Sequence, residues 1–169
     1  LCRAYNDWHI EEWCGAAPDR LIPLAIPPIW DPHACGDEVR RVAEKGCHAI
    51  TFPENPVPLG LPSLHTEHWD PFWRACSDVG TIVNMHIGSS SRMPATSSDA
   101  PIAVAASLSF NNAMASLSDW LFSGKLVQFP TLKLAYSEGQ IGWIPYVLER
   151  VDTVWEEHRA WGGVRDIVP

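Results

Sequence analysis

The sequence is poor in basic residues, in long apolar runs and in paired cysteines. Its 12 Lys+Arg are scattered among 20 Asp+Glu, giving a formal net charge of -8. This balance argues against nucleic acid or an anionic membrane surface as a partner, because both require clustered cations. The longest apolar candidate, residues 21–30, is interrupted by three prolines and is far shorter than the roughly 20 residues that cross a bilayer. The 5 Cys include no Cys-x-x-Cys pair, so neither a disulfide scaffold nor a structural zinc knot is expected.

What remains is the composition of an ordinary globular protein. The chain is 46% hydrophobic and 19% charged, which provides for a sizeable core. We expect a cytoplasmic protein whose thiols are reduced and mostly buried. The sequence begins Leu1-Cys2-Arg3, without an initiator Met or a basic leader. We therefore expect residues 1–169 to form a single domain that is an internal part of a larger protein.

Helices and strands are predicted to alternate along the chain. Asp31-Pro32 and Asp70-Pro71 are typical helix starts, and Gly46 is placed to end a helix. The apolar periodicity predicts helices at 5–17, 31–46, 70–80, 100–122 and from after 139 to about 158, with strands at 21–26, 48–52, 81–86 and 132–136.

This alternation predicts the α/β class. Short strands that are apolar on both faces indicate a parallel sheet covered by helices rather than a β-sandwich. About four βα units fit the length, whereas a closed (β/α)₈ barrel has eight strands and typically about 250 residues. An open doubly wound sheet fits as well on periodicity alone. However, no Gly-x-Gly-x-x-Gly or Gly-Lys-Ser/Thr follows a predicted strand, so a nucleotide-binding fold is not favoured.

Two residues at the ends of neighbouring predicted strands could carry chemistry. His86 and Glu138 each precede a turn containing glycine, and ligands of parallel α/β folds bind beyond the carboxyl ends of the strands. An imidazole and a carboxylate there could bind a divalent metal or act as general acid and base. The alternatives are a hydrogen-bonded core histidine and a buried carboxylate that accepts backbone N–H groups from residues 139–142.

Four further residues are candidates for substrate binding. Glu54 and Asn55 follow a predicted strand and would face the site, or they cap a proline-bounded loop. Arg92 lies in the Ser-rich loop after His86 and could bind a substrate carboxylate, or it is an exposed loop charge. Trp30 follows the first predicted strand and could line a pocket for a planar substrate, or it anchors a loop.

Three stretches are recognisable together: Asn84-Met85-His86-Ile87-Gly88, residues 122–134, and Glu138-Gly139-Gln140-Ile141-Gly142-Trp143-Ile144-Pro145. They resemble the amidohydrolase-related (amidohydrolase 2) family of metal-dependent hydrolases, in the branch that includes aminocarboxymuconate-semialdehyde decarboxylase. The resemblance implies the middle part of a distorted (β/α)₈ barrel, with the third to the sixth strand present. It also implies a divalent metal, zinc or alternatively manganese, with His86 as the fifth-strand ligand. The remaining ligands of the family have no match in this chain.

The resemblance makes one position distinctive. Decarboxylase members of the family end the next strand in Ala-His-Gly-Gly, where this chain has Ser137-Glu138-Gly139-Gln140. A carboxylate instead of an imidazole changes the charge and the donor capacity. We expect Glu138 to be the catalytic residue that moves a proton.

The resemblance implies a hydrolase or a non-oxidative decarboxylase acting on a small carboxylated, aromatic compound, in a protein that forms a homo-oligomer. Two alternatives stay open. The chain could be a truncated, non-catalytic barrel that serves as a binding or oligomerisation module, because half a barrel exposes strand edges. It could also use Glu138 and His86 as an acid–base pair without metal.

Overall fold

The structure, a computed structural model, describes residues 1–167, so residues 168–169 of the expected single domain lie outside the described residues. Helices and short strands alternate, as the sequence predicts. The strands are β1 (Ala49–Thr51), β2 (Ile82–His86) and β3 (Lys133–Ser137). The α-helices are α1 (Cys2–Trp8), α2 (Pro32–Glu44), α3 (Asp70–Val79), α4 (Ile102–Ser107), α5 (Phe110–Phe122), α6 (Lys125–Gln128) and α7 (Ile144–His158). A π-helical turn and a 3₁₀ turn continue α1 as far as Ala16.

The three strands form one sheet in the order β1-β2-β3. β1 and β2 are parallel, with Ala49 opposite Ile82 and Thr51 opposite Asn84. Ile50, Val83 and Met85 are completely buried, as expected of strands covered on both faces. The predicted α/β class with a parallel sheet is therefore confirmed.

Two helix boundaries follow their sequence signals closely. The side chain of Asp31 accepts hydrogen bonds from the backbone N–H groups of His33 and Ala34 and so caps the start of α2. The other end of α2 is followed by Gly46, whose φ of +82° lies in the left-handed region that glycine adopts without strain. Local capping signals therefore mark both ends of this helix.

The predicted strand at 21–26 is wrong, because only Ala25 pairs with the sheet, through an isolated parallel bridge to Ile50. The neighbouring backbone groups are taken by side chains. Asn6 binds both the N–H and the C=O of Ile26, and Nε2 of His9 accepts from the N–H of Leu24. The positions on either side of Ala25 that would face the same strand are Pro23 and Pro27, which have no N–H to donate, so the pairing stops at one bridge.

The stretch 100–122 is helical as predicted, but it is divided into the two helices α4 and α5. The hydroxyl of Ser107 donates to the carbonyl of Ala103, a back-bond that bends helices. Leu108 then departs from the helical conformation, with φ −102° and ψ 3°. The short helix α6, which the sequence did not predict, follows after Gly124.

The described residues form two compact units. The first comprises Leu1–Pro53, Thr66–Met85 and Phe129–Ala135; the second comprises Glu54–His65, His86–Gln128 and the chain from Tyr136 onward. The core of the first is an aromatic cluster in which Phe52 meets Trp69 and Trp73 edge to face and Trp73 stacks on Phe72. In the second, α5 packs against α6 and α7.

Among residues 1–167, no helix is both long enough and apolar enough to traverse a membrane.

Candidate functional site

His86 ends β2 with one ring nitrogen already committed. Its Nδ1 lies 2.8 Å from the carbonyl oxygen of Ile87, an acceptor that requires Nδ1 to carry the proton. In the neutral ring, Nε2 then presents its lone pair. The imidazole is 58% exposed, so it is not the hydrogen-bonded core histidine that was the alternative. This arrangement suits a ligand or a base that acts through Nε2.

Glu138 occupies the corresponding place after β3. Its Oε2 lies 3.6 Å from Nε2 of His86, and its side chain is 67% exposed. The alternative of a buried helix-start carboxylate is therefore wrong. The backbone of Glu138 has a φ of +59°, a left-handed conformation that costs a non-glycine residue on the order of 1 kcal/mol. The strained turn presents the carboxylate to the imidazole.

Gly139 explains how this turn fits. A Cβ at this position would lie 2.9 Å from the Cβ of Ala113 on α5 and 3.1 Å from that of Tyr136. The backbone carbonyl of Gly139 also accepts a hydrogen bond of 2.6 Å from the indole of Trp143. Glycine is required here by close approach, and the resulting contact fixes the position of Glu138.

Glu54 follows β1 and is 1% exposed. Its Oε2 accepts from the N–H of Gly88, and its own N–H donates to Oγ of Ser89, each at 2.9 Å. These reciprocal bonds hold the turn that follows His86. Burial raises the pKa of Glu54, and the Gly88 N–H, Asn112 and His86 oppose that rise. The other oxygen, Oε1, is buried and has no hydrogen-bond partner among residues 1–167.

Glu54 also lines a cavity of about 340 Å³ in the second unit. The cavity is lined by Glu54, Asn55, Pro58, Ser90, Arg92, Asn112, Ala115, Ser116 and Asp119. The carbonyl of Arg92 accepts a 2.6 Å bond from Nδ2 of Asn112, which anchors the loop to α5. Within the described chain, the guanidinium of Arg92 forms no ion pair. The structure thus brings together three of the four predicted substrate-binding residues.

One face of α5 also lines the cavity, and none of its residues was predicted from the sequence. Asn112, Ala115, Ser116 and Asp119 are spaced i, i+3, i+4 and i+7, which places them on one side of a helix. The sequence did contain a signal for this face. Three of the four residues are polar and recur at helical spacing within a segment that is otherwise mostly apolar. His65, for which the sequence offers no signal of a functional role, contacts the same face. Its Nε2 lies 2.6 Å from Oδ1 of Asp119.

Trp30 belongs to the first unit, where it is 71% exposed, and its substrate-binding role stays a prediction. His48, at the opposite end of its strand, bonds through Nδ1 to the carbonyl of Val79 at 3.1 Å. A structural role accounts for this residue.

The donors fit a divalent metal in kind but not in number. A neutral imidazole with Nδ1 held by a carbonyl and an adjacent carboxylate are suitable ligands. Yet no group of three or more His, Cys, Asp or Glu side chains within residues 1–167 is arranged to hold a metal. Structural and catalytic metal sites generally have at least three protein ligands. His86 and Glu138 could form only one side of such a site.

Several solved structures with a similar fold are named as decarboxylases, and others are named as amidohydrolases. The 5-carboxyvanillate decarboxylase LigW from Sphingomonas paucimobilis shares 22% identity, with 96% of this chain matched to 48% of that one and a TM-score of 0.71. The 5-carboxyvanillate decarboxylase from Novosphingobium aromaticivorans, complexed with manganese and 4-hydroxy-3-methoxy-5-nitrobenzoic acid, shares 23%, with 100% matched to 47% and a TM-score of 0.73. The 2,6-dihydroxybenzoate decarboxylase from Rhizobium shares 22%, with 96% matched to 50% and a TM-score of 0.67.

These identities speak for the fold, and the chain spans about half the length of each of these proteins. The α/β arrangement therefore corresponds to part of a (β/α)₈ barrel, as the resemblance implied. No curated protein matches the sequence. The Amidohydrolase family matches it over residues 1–168. The chain belongs to the Amidohydrolase family.

Proposed function

We propose that the protein to which this chain belongs is a metal-dependent enzyme that decarboxylates a small aromatic carboxylate without an oxidant. The observation that carries the proposal is an unpaired arginine, Arg92, in a cavity that shares Glu54 with the turn of His86. The named activities of the similar structures are consistent with it. These activities give no support to the alternative of a truncated barrel that serves only as a binding or oligomerisation module.

Arg92 is assigned to the substrate carboxylate. Arg92 is exposed and forms no ion pair within the described chain, so its guanidinium is accessible to a ligand that enters the cavity it lines. A guanidinium binds a carboxylate through two parallel hydrogen bonds, which fixes orientation as well as position. The cavity volume of about 340 Å³ suits a compound the size of one substituted ring.

His86 is assigned to the metal, whose other ligands would come from outside the described residues. A bound divalent ion would polarise an oxygen of the substrate or lower the pKa of a bound water. In the neutral ring, the Ile87 carbonyl holds the proton on Nδ1 and so leaves the lone pair of Nε2 for a ligand. Zinc or manganese would serve. A homo-oligomer in the cytoplasm remains our expectation for the whole protein.

Glu138 is assigned to proton transfer. Decarboxylation breaks the bond between a ring carbon and the carboxylate carbon, releases CO₂ and leaves an electron pair that must take up a proton. The exposed carboxyl group of Glu138 has its Oε2 3.6 Å from Nε2 of the His86 imidazole. In this role it would donate the proton to the ring carbon and be reprotonated from solvent.

Hydrolysis is the second candidate, and Glu138 itself favours it. Decarboxylase members of the family carry a histidine at this place by the sequence resemblance, whereas this chain carries a carboxylate. A carboxylate is a suitable general base for activating water. Product analysis separates the two, since decarboxylation yields one CO₂ per turnover and hydrolysis yields none.

The test uses the full-length protein, supplied with Mn²⁺ or Zn²⁺ and incubated with 5-carboxyvanillate, 2,6-dihydroxybenzoate and related aromatic carboxylates. We expect His86→Ala to lower bound metal and to reduce kcat at least about a hundredfold. We expect Arg92→Gln to raise KM. His33→Ala and Arg20→Gln, which alter exposed residues of the first unit, are the matched controls.

Three outcomes would count against the proposal. Wild-type protein that retains less than about a tenth of an equivalent of metal would contradict metal ligation and favour a metal-free acid–base pair. Turnover unaffected by Arg92→Gln would remove the carboxylate assignment. Turnover of none of these compounds, with or without metal, would remove the decarboxylase.

A further inference from the structure

We propose that Asp119 is a specificity-determining residue of the cavity that contains Arg92. In this role it accepts a hydrogen bond from a hydroxyl or amino group of the ligand, and His65 is the residue that positions it. The inference rests on the proposed function for the assignment of Arg92 to a carboxylate. Beyond that assignment, it specifies that the ligand also has a hydrogen-bond donor.

The geometry of Asp119 leaves one oxygen for a ligand. Its Oδ1 lies 2.6 Å from Nε2 of His65, whose N–H donates. This is the only hydrogen bond of Asp119 within the described chain, so Oδ2 has no protein donor. The carboxylate lines the cavity from α5, one helical turn beyond Ser116. His65 thus holds the side chain in one orientation, and the free oxygen is available to the cavity.

Arg92 does not neutralise the carboxyl groups of Asp119 and Glu54. It lines the same cavity as Asp119 and Glu54 but forms an ion pair with neither. The residues that line the cavity therefore include Arg92, whose guanidinium has no anionic partner, and two carboxyl groups that each have one oxygen without a hydrogen-bond donor. A ligand with a carboxylate alone would satisfy only the first of these groups. A ligand that carries a carboxylate and a hydrogen-bond donor would satisfy both.

Glu54 provides an independent indication of a ligand. It is 1% exposed, lines the cavity and leaves Oε1 buried without a partner. A buried acceptor without a donor is unfavourable, and native proteins rarely retain one that nothing occupies. Two acceptor oxygens from separate elements, Glu54 and Asp119, therefore call for donors in the same cavity.

The test is a set of binding measurements on the metal-loaded full-length protein. Benzoate, the three monohydroxybenzoates and their three methyl ethers are titrated by calorimetry. The methyl ether keeps the carboxylate and the ring but cannot donate. Because a hydrogen bond to a charged acceptor is among the stronger ones, we expect at least one hydroxybenzoate to bind about tenfold or more tightly than its methyl ether.

Variants then show which residues cause the tighter binding of the hydroxybenzoate relative to its methyl ether. Asp119→Ala should reduce the preference for hydroxyl over methoxyl to about twofold or less while benzoate binds as before. His65→Gln, which keeps a donor for Asp119, should preserve the preference, whereas His65→Leu should lower it. Arg92→Gln should weaken all seven compounds together. Asn111→Ala, on α5 but outside the cavity lining, is the matched control.

The outcomes separate the inference from the proposed function. If benzoate binds through Arg92 but the preference for hydroxyl is absent, or survives Asp119→Ala, the inference is wrong and the proposed function stands. Equal effects of His65→Gln and His65→Leu would overturn the positioning role. If none of the compounds binds, or Arg92→Gln has no effect, both the inference and the carboxylate assignment fail.

Discussion

Replacing Asn6 by alanine should destabilise the first unit more than any surface change of similar size. Asn6 is completely buried. Its Nδ2 donates to the Ile26 carbonyl at 3.0 Å and to Oε1 of Glu38 at 2.8 Å, and its Oδ1 accepts from the Ile26 N–H at 2.9 Å. Alanine removes all three bonds and leaves a carboxylate that is 2% exposed with one donor fewer.

The magnitude follows from these three bonds. Each bond to the Ile26 backbone contributes about 1 kcal/mol, and the bond to the charged Glu38 about 1.5–3 kcal/mol. Arg41 also binds Glu38 and remains in the variant, which limits the loss. We therefore expect the free energy of unfolding to fall by about 3–5 kcal/mol. For a chain of this length the midpoint of thermal unfolding should fall by about 10 °C.

The assay is urea denaturation followed by far-ultraviolet and near-ultraviolet circular dichroism, with coincident transitions as the check on two-state behaviour. Asn55→Ala is the matched control, because it removes one exposed hydrogen bond to Val57, and it should cost less than about 1 kcal/mol. Asn6→Asp should be at least as destabilising as Asn6→Ala near pH 7, since it places a second carboxylate beside Glu38. A loss below about 1 kcal/mol for Asn6→Ala would refute the reasoning.

Two further predictions concern the site. Because the pKa of Glu54 is higher folded than unfolded, its protonation stabilises the fold below about pH 4.5, and this contribution is lost as pH rises through the raised pKa. The stability of Glu54→Gln relative to wild type, from urea midpoints at a series of pH values, should therefore increase with pH; a flat difference would contradict the raised pKa. Glu138 and Gln140 share a φ of +59°, so Glu138→Gly and Gln140→Gly should each be neutral or stabilising by up to about 1 kcal/mol. Only Glu138→Gly should abolish turnover, and loss of activity in Gln140→Gly would show that the turn rather than the carboxylate is needed.

The sequence predicted the elements whose signals are local. The cap of Asp31, the glycine after α2 and the apolar residues of β1 and β2 each act within a few positions, and the structure places them as expected. The positions of His86 and Glu138 at the ends of strands were equally local. Because neighbouring strand ends meet at one edge of a sheet, the pattern predicts that these two side chains lie near each other, and the structure places them 3.6 Å apart.

What the sequence could not supply were interactions between distant positions. Asn6, 20 positions before Ile26, binds both backbone groups of Ile26, so a side chain and not another strand occupies the edge of this segment that faces away from β1. His65 and Asp119 are 54 positions apart, and no spacing rule connects a loop histidine with a helix aspartate. Glu54 was recognised by its position, but the burial of Oε1 was not. A side chain that binds a distant backbone, or is desolvated by it, leaves no periodic trace, so only the tertiary structure decided which polar groups share the cavity.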